Sequence, residues 1–571
     1  MSNDGNILMK KFIVTYLIIL LGLQVTIVCA QSLPVGTVAI EDFYRREQLL
    51  GAVDPSISFM VRPTYPRIAL MAKNVFYKDS IQQEPNSLNI NSRYFSKNRK
   101  IEVDLLPFSI QTQINSSHPY GWNDGPMIPN KGLQAIISAG LYLDYGMLSI
   151  QLRPEIVMAT NHKFDTFNKD QFEVLTARYY DYYNNIDNPA RFGNDVYSKA
   201  YWGQSSIRLN YESLSFGLST ENLWWGPGIR NSLLMSNNAP GFKHITLNTR
   251  KPISTAIGSF EGQIIAGKLE GSGFGVLEPE KTFLGDTLYV PKLKDWRYLS
   301  GITVTWQPKW IPGLFFGFTS SAQIYHKDLS GFTDYLPFYS ATTSITTDQP
   351  LEKRDTRSSL YMRWIWPEEN AEIYFEYGKN NALGTKRNKA LEGSKNRAYI
   401  FGLRKIIPFN SSKQENLMIS IEATQLQETS PTDIYNASSW YVNKYIRHGY
   451  TNRGEVLGAG IGPGANSQTL DVSWIKGFKK VGVQFERYVH NNDLYIYSYT
   501  NNQDSRRHWT DLSIGFNGEW NYKNLILNAK LMGVKSLNYQ WYLYQGPTDD
   551  INVSGKDAFN LQLQTGLSYR F

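Results

Sequence analysis

Two tryptophan-containing segments carry the residue types that could do chemistry in this sequence. One, TENLWWGPGIRNSLLMSNNAPGF, places two adjacent indoles before Gly-Pro-Gly, and the other is PYGWNDGP. Proline and clustered glycines exclude a helix interior and a central strand, so both segments are predicted to be loops. Indole faces stack on the apolar faces of sugar rings, and nearby amides and carboxylates can hydrogen-bond sugar hydroxyls. The predicted glycan-binding set is therefore Trp122, Asn123, Asp124, Trp224, Trp225, Asn237 and Asn238.

A structural role is the alternative for these loops. Gly-Pro-rich aromatic loops can fold inward and seal the interior of a hollow fold, with Trp224 and Trp225 acting as packing. Sealing and binding are compatible, so both interpretations stay open at this point.

A basic stretch adds a second candidate site. Between residues 378 and 396 the sequence carries a single acidic residue, Glu392, against five basic ones. Such a patch would attract an acidic polysaccharide in a salt-sensitive way. The alternative is a solvated loop, or one that pairs with lipopolysaccharide phosphates. The predicted patch is Lys379, Lys386, Arg387, Lys389 and Lys395.

Signals for catalysis, metals and cofactors are poor. The seven histidines form no HExxH or zinc pattern. GIGPGA resembles a dinucleotide fingerprint, but Pro463 lies inside it and no βαβ unit surrounds it. Carboxylate pairs stay open, because their spacing is three-dimensional. We therefore expect a protein that is not an enzyme, with no cofactor, no metal and no nucleic-acid partner.

The first thirty residues have the features of a secretory signal peptide. Lys10 and Lys11 precede an apolar run, and Val28-Cys29-Ala30 fits a small-residue cleavage site before Gln31. An uncleaved membrane anchor is the alternative. Cys29 is the only cysteine, so the mature chain would carry none. Beyond this segment no apolar run approaches about 18 residues, so only a β-barrel could span a bilayer.

Period-two alternation supports such a barrel. The segment NLQLQTGLSYRF places Leu561, Leu563, Leu567 and Tyr569 on one face and polar residues on the other, and similar runs recur along the chain. This ending resembles the C-terminal signal of bacterial outer-membrane proteins. With 14% aromatic residues and 44 glycines, the composition suits a one-residue-thick wall with aromatic girdles. The predicted fold is all-β, a transmembrane antiparallel barrel.

Connection lengths predict the strand number and the orientation. Counting back from the C-terminus, long and short connections alternate and give about eighteen strands, with the first beginning near Ile101. If the short turns are periplasmic, the tryptophan loops lie outside. Residues 31–100 do not fit the barrel pattern. There Ile40, Phe43, Tyr44 and Leu50 predict a short periplasmic helix that closes the barrel floor, and a frayed extension is the alternative.

The predicted domain organisation follows from these patterns. It is a signal peptide at 1–30, a periplasmic helical plug at 31–100 and an outer-membrane barrel at 101–571.

Several motifs resemble a known family. PYGWNDGP, STENLWWGPG with SNNAPGF, GYTNRGEVLG with IGPG, and FERY are similar to motifs of the Wzi capsule-assembly family, while RREQLLG and SFMVRP resemble its N-terminal region in Bacteroidetes-type members. The resemblance implies an outer-membrane barrel of about eighteen strands with a lectin-like role, binding or retaining exported capsular polysaccharide at the cell surface. A porin or carbohydrate channel is the alternative. The expected partners are surface polysaccharide and outer-membrane lipid, with a monomer favoured.

Overall fold

The computed structural model describes most of the chain. The described residues are 31–70, 93–96, 100–167, 171–336, 353–380, 396–428, 439–499, 507–542 and 555–571. The predicted signal peptide at 1–30 lies outside them. So do four members of the predicted basic patch, namely Lys386, Arg387, Lys389 and Lys395.

Eighteen antiparallel strands form a closed barrel, as the sequence predicts. Two of the strands, β3 and β4, are interrupted at the same level. The bounds are β1 Glu102–Asn115, β2 Gly132–Tyr145, β3 Leu148–Leu152 with Glu155–Ala159, β4 Tyr197–Tyr201 with Ser206–Tyr211, β5 Leu214–Ser219, β6 Lys243–Thr249, β7 Gly258–Leu269, β8 Arg297–Pro308, β9 Leu314–Tyr325, β10 Arg354–Trp366, β11 Ala371–Asn380, β12 Arg397–Asn410, β13 Glu415–Gln425, β14 Asn466–Lys476, β15 Lys479–Val489, β16 Thr510–Tyr522, β17 Leu525–Leu537 and β18 Ala558–Tyr569.

The last strand closes the barrel on the first. β18 pairs with β1 from Gln562 opposite Asn115 to Tyr569 opposite Phe108. Beyond that point the short strand Arg93–Phe95 pairs with the start of β1. Another short strand, Ile253–Thr255, forms a hairpin with the start of β7. Every strand of the wall therefore has hydrogen-bonded neighbours on both sides, which removes the free edges that an open sheet would expose.

Side-chain alternation explains why these segments form the wall. In β18 the apolar Phe559, Leu561 and Leu563 are exposed on the outer face, while Asn560 and Gln562 are buried inside. The other strands follow the same rule, so the outside of the barrel is apolar and the lumen is polar.

The connections alternate between short and long along the barrel, as predicted. Short turns such as 146–147, 477–478 and 523–524 lie at one end, and connections such as 160–196, 220–242 and 426–465 lie at the other. The two ends are called here the turn end and the loop end.

The α-helices of the described residues are short and lie outside the wall strands. They are α1 Val38–Leu49, α2 Pro66–Ala69, α3 Glu173–Tyr183 and α4 Asn492–Tyr499. In the part of the chain that the structure describes, no helix is long and apolar enough to cross a membrane.

The predicted N-terminal helix is present as α1. Ile40, Phe43 and Tyr44 are buried as expected, and Glu41 in the first turn and Arg46 in the last turn complement the helix dipole. The prediction was wrong at Leu50. The helix ends one residue earlier, so Leu49 is fully buried and Leu50 is exposed at the C-cap.

The lumen is filled at both ends. At the turn end α1 and the residues after it pack against wall side chains such as Leu106, Tyr142 and Phe478. At the loop end the long connections fold inward and build a large core around Trp225, Leu233 and Trp440. Between them the short strands Val61–Arg62 and Trp224–Trp225 pair with each other.

Candidate functional site

The loop at 220–242 runs down into the lumen and meets the N-terminal segment. Trp225 pairs with Val61 and Trp224 with Arg62, and the Gly226 amide donates to the Met60 carbonyl at 2.9 Å. The two indoles are therefore deeply buried, with exposures of 4% for Trp224 and 0% for Trp225. This is the position that the sealing interpretation expects for them.

Trp225 packs directly against the barrel wall. Its indole N–H donates to Gln263 Oε1 at 2.8 Å. A Cβ on Gly301 of β8 would lie 2.7 Å from the Trp225 ring, so the wall needs a glycine there to admit the indole. Trp224 lies under the Arg62 guanidinium, which is 4.4 Å from its ring centroid. Both side chains hold the loop in place, and Trp225 lines none of the cavities described below.

Buried ion pairs fix α1 across the turn end. Arg45 contacts Glu372 of β11 at 2.9 Å, and Arg363 of β10 contacts the same carboxylate at 2.6 Å. Burial alone would raise the pKa of Asp42, but Arg404 and Lys480 hold it well below its usual range. These contacts tie the helix to several wall strands, so the floor of the lumen is closed by charge as well as by packing.

Two adjoining cavities open at the loop end, and we call them together the aromatic cleft. Their volumes are about 320 and 240 Å³, and they share Phe164, Tyr179 and Tyr183 as lining residues. Most of the large side chains that line them are aromatic: Tyr120, Trp122, Phe164, Phe167, Tyr179, Tyr180, Tyr183, Phe274, Tyr289, Tyr488, Trp509, Tyr539 and Trp541.

Ring contacts connect one side of the cleft. Trp122 contacts Tyr488 with ring centroids 5.4 Å apart, and Tyr488 lies 3.9 Å from His490. His490 stacks on Trp509 at 3.5 Å with an interplanar angle of 7°. These rings support each other in fixed orientations, so Trp122 is presented on a rigid base.

Helices α3 and α4 form the rim on the other side. Arg178 of α3 donates to the carbonyl oxygens of Tyr497 and Ser498 at 3.1 and 2.8 Å. The Tyr497 hydroxyl donates to Asp181 Oδ2 at 2.7 Å. On the cleft face of α3, Tyr179 stacks on Phe167 with centroids 4.1 Å apart. The helix pair thus holds half-buried aromatic faces at the mouth of the cleft.

Asp124 and Glu455 lie among these rings, and Asp165, Asp187 and Glu278 also line the cleft. Burial raises the pKa of Asp124 to about 6, although Gln113 donates to its carboxylate. Burial also raises the pKa of Glu455 well above its usual value, and the nearby charge of Asp124 raises it further. A protonated carboxyl group donates a hydrogen bond and a carboxylate accepts one, and sugar hydroxyls can take either role, so Asp124 and Glu455 suit a sugar ligand.

Three predicted asparagines join the loops that build the cleft. Asn123 Nδ2 donates to the Arg230 carbonyl at 2.5 Å, and Asn237 Nδ2 donates back to the Asn123 carbonyl at 2.9 Å. Asn238 Nδ2 donates to the Val456 carbonyl at 3.1 Å. Their amides are largely used in holding loop to loop, so they position the cleft wall.

The structure brings most of the predicted glycan-binding residues together. Trp122 and Asp124 line the cleft, and Asn123, Asn237 and Asn238 surround them. Of the basic patch, only Lys379 is described, and it is exposed at the end of β11.

Sequence reasoning missed the aromatic residues contributed by other loops. Tyr179 and Tyr183 lie in the tyrosine-rich stretch ARYYDYYNN, and Tyr488 lies in the motif FERY. Both stretches are visible in the sequence, but their meeting with Trp122 depends on contacts between distant loops. In the described ranges, no group of three or more His, Cys, Asp or Glu side chains could hold a metal ion.

Comparisons with known proteins give a family and several similar solved structures. The family model described as capsule assembly protein Wzi matches residues 127–529. The chain is similar to the solved structure of Wzi from Escherichia coli, described as an outer membrane protein involved in group 1 capsule assembly and a carbohydrate-binding β-barrel. The identity is 11% and the TM-score 0.58, over 95% of this chain and 100% of that one.

Other solved barrels match less well. OccAB2 of Acinetobacter baumannii has 10% identity and a TM-score of 0.38, over 81% of this chain and 97% of that one. OprB of Pseudomonas putida has 10% identity and a TM-score of 0.33, over 82% and 94%. No curated protein sequence matches the chain significantly.

Proposed function

Because this chain belongs to the Wzi capsule assembly family, we propose that it binds exported capsular polysaccharide and retains it at the cell surface. The protein is an outer-membrane β-barrel. The E. coli relative is described as a carbohydrate-binding barrel, and the proposal extends that property to this chain. The aromatic cleft is the proposed binding site.

The composition of the cleft is the observation that carries this proposal. Half-buried rings such as Trp122, Tyr179 and Tyr183 offer apolar faces to sugar rings, and Asp124 and Glu455 offer oxygens to hydroxyls. Ligand sites commonly combine an apolar lining with a few polar groups that fix orientation. The cleft lies at the loop end, which is the end that our topology predicts to face outward.

A channel is the second candidate, and the packing of the lumen opposes it. Helix α1 is held to the wall by buried ion pairs, and the 220–242 loop pairs with the N-terminal segment across the lumen. A polymer or solute would have to displace both to pass. The proposed role is therefore binding and retention rather than transport. We propose no cleavage of the glycan, since the E. coli relative is described as a carbohydrate-binding barrel.

We further infer that the barrel contacts outer-membrane lipid through its exposed apolar rows, such as Leu527, Leu531 and Phe559. A monomer is favoured, because a closed barrel satisfies its own strand edges and needs no second copy to do so.

Binding can be measured with the purified protein in detergent and capsular polysaccharide fragments prepared from the producing strain. Trp122→Ala should weaken binding by roughly 0.5–1.5 kcal/mol, the range for one lost aromatic contact. Trp122→Phe should restore most of it, because an aromatic face remains. The matched control is Trp202→Ala, since Trp202 is exposed and lines none of the cavities. Equal affinity of the wild type and Trp122→Ala would contradict the cleft as the site.

A further inference from the structure

Below the aromatic cleft the lumen contains another cavity, of about 330 Å³, which we call the lumen cavity. It shares Tyr120, Gly121, Trp122 and Asp124 with the cleft above. On its floor side it reaches α1 at Glu41, Asp42 and Arg45. Its size lies at the lower end of the roughly 300–1,000 Å³ typical of small-ligand pockets. The lumen cavity is thus an internal extension of the cleft that ends on the plug.

One side of the lumen cavity is a wall of polar side chains on neighbouring strands. Gln113, Gln564, Lys530 and Asn517 lie opposite one another in a single register row across β1, β18, β17 and β16. Gln111 and Asn528 lie in the next row, on either side of Gly566. All of these side chains line the cavity. We call the five amide side chains of this set the amide wall: Gln111, Gln113, Gln564, Asn517 and Asn528.

Two glycines keep the space in front of the amide wall open. A Cβ on Gly566 would lie 2.1 Å from Asn528 Oδ1, so a side chain there would displace this amide. Gly121 has a φ of +126°, and a Cβ on it would lie 2.6 Å from Gln113 Nε2. Larger residues at either position would obstruct the amides that face the cavity.

Most charges in the lumen form ion pairs, whereas Lys530 interacts with charged side chains only from beyond ion-pair distance, namely Arg230, Glu486, Asp471 and Lys480. Arg208 contacts Glu221 at 2.6 Å, and Arg230 contacts Glu486 at 3.2 Å. In the part of the chain that the structure describes, Lys530 makes no ion pair within 4.0 Å and no hydrogen bond, and it lines the lumen cavity. The side chains of Gln111, Gln564 and Asn528 likewise have no hydrogen-bond partner there.

Uncommitted polar groups in an internal cavity indicate what the cavity can bind. An ammonium without a carboxylate partner attracts an anion, and the attraction is stronger where water is partly excluded. Amide side chains both donate and accept hydrogen bonds, which matches sugar hydroxyls. The combination of one free cation and several free amides therefore fits a sugar with a single negative charge.

We propose that the lumen cavity is an internal subsite for a carboxylated sugar unit of the polysaccharide, with Lys530 binding the carboxylate and the amide wall binding the hydroxyls. Because α1 closes the floor, only a chain end or a branch can enter, while the rest of the polymer stays in the aromatic cleft. This inference rests on the proposed function and adds a ligand class and a second subsite to it.

The test uses fragments of the capsular polysaccharide from the producing strain, together with the same fragments after chemical reduction of their carboxylates to alcohols. Isothermal titration would compare wild type, Lys530→Met and Lys523→Met. Lys523 lies in the turn before the same strand and outside the cavity, so it is a matched control.

We expect the wild type and Lys523→Met to bind the native fragments about tenfold more tightly than the reduced ones, since one charge-assisted hydrogen bond is lost. Lys530→Met should bind both forms equally, at the affinity of the reduced form. Persistence of the preference in Lys530→Met, absence of any preference in the wild type, or a polysaccharide without carboxylated sugars would overturn this inference and leave the proposed function standing. Failure of the wild type to bind either form would overturn both.

Discussion

Trp122 and Trp225 differ in burial, and this difference indicates different roles for the two side chains. Trp122 is half-buried at the cleft, whereas Trp225 is fully buried, donates to Gln263 and fills the space that Gly301 leaves in the wall. The loop with two adjacent indoles therefore packs in the barrel interior, and the loop that carries Trp122 lines the cleft.

Trp225→Ala should destabilise the folded barrel strongly. Removing a fully buried tryptophan typically costs about 3–5 kcal/mol, because a cavity remains. The amount of folded protein can be measured by its heat-modifiable mobility on gels, with Trp122→Ala as the comparison. Trp122→Ala should leave this amount unchanged. Equal folded levels of Trp225→Ala and wild type would contradict the packing role.

The raised pKa of Asp124 makes the loop end sensitive to pH. Its folded pKa of about 6 lies above the ordinary value of 3.8 because of burial, so the folded state holds this proton more tightly than the unfolded state. The group therefore stabilises the loop end increasingly as pH falls from about 6 toward 4, and this contribution is lost as pH rises through 6.

Hydrogen exchange of residues 118–132 can check this expectation. After correction for the intrinsic exchange rate, protection in the wild type should be greater at pH 5 than at pH 7.5. Asp124→Asn should show similar protection at both values, while Asp286→Asn, at an exposed loop position, should behave as the wild type. Unchanged pH dependence in Asp124→Asn would contradict the assignment.

Helix α1 is held in the barrel by buried ion pairs as well as by its apolar face. Glu372 forms ion pairs with Arg45 of the helix and with Arg363 of the wall. Glu372→Gln would leave two buried guanidinium groups short of a carboxylate, which typically costs about 3–5 kcal/mol.

We expect added protease to cleave the N-terminal segment of Glu372→Gln, because α1 is no longer held to the wall, and to leave that segment of the wild type intact. Glu369→Gln is the control, because Glu369 pairs with Lys405 on the surface, where an ion pair contributes about 0–1 kcal/mol. Resistance of Glu372→Gln equal to that of the control would show that apolar packing alone holds the helix.

The elements also show what could be predicted from sequence. Alternation and turn lengths are local properties, so the eighteen strands and the helix at 38–49 were predictable from segments such as NLQLQTGLSYRF. The pairing of Trp224 with Arg62 joins parts of the chain that are far apart in sequence. No local signal tells an inward loop from an outward one, so the burial of Trp225, and the fact that Tyr183 and Trp122 line one cavity, required the structure.

At the scale of the whole molecule, the barrel presents a closed turn end and a cleft at its loop end. Its orientation stays a prediction, and the nearly cysteine-free chain allows a direct check. Asp286 in a long connection and Lys309 in a short turn are both exposed. A single cysteine can be introduced at either position. In intact cells an impermeant maleimide should label the first and not the second, with the unmodified protein as background. The reverse pattern would invert the topology.

Capsule retention by living cells shows directly whether this barrel holds polysaccharide at the cell surface. Cells that lack this protein should synthesise and export as much polysaccharide as the parent, but should release most of it into the medium. Complementation with Trp122→Ala combined with Tyr183→Ala should fail, while Trp202→Ala should restore retention, since weak contacts at each barrel add up along a polymer held at many barrels. Polysaccharide that stays cell-bound in the deletion strain, together with slower uptake of a small sugar, would rule out a retention role and favour a channel.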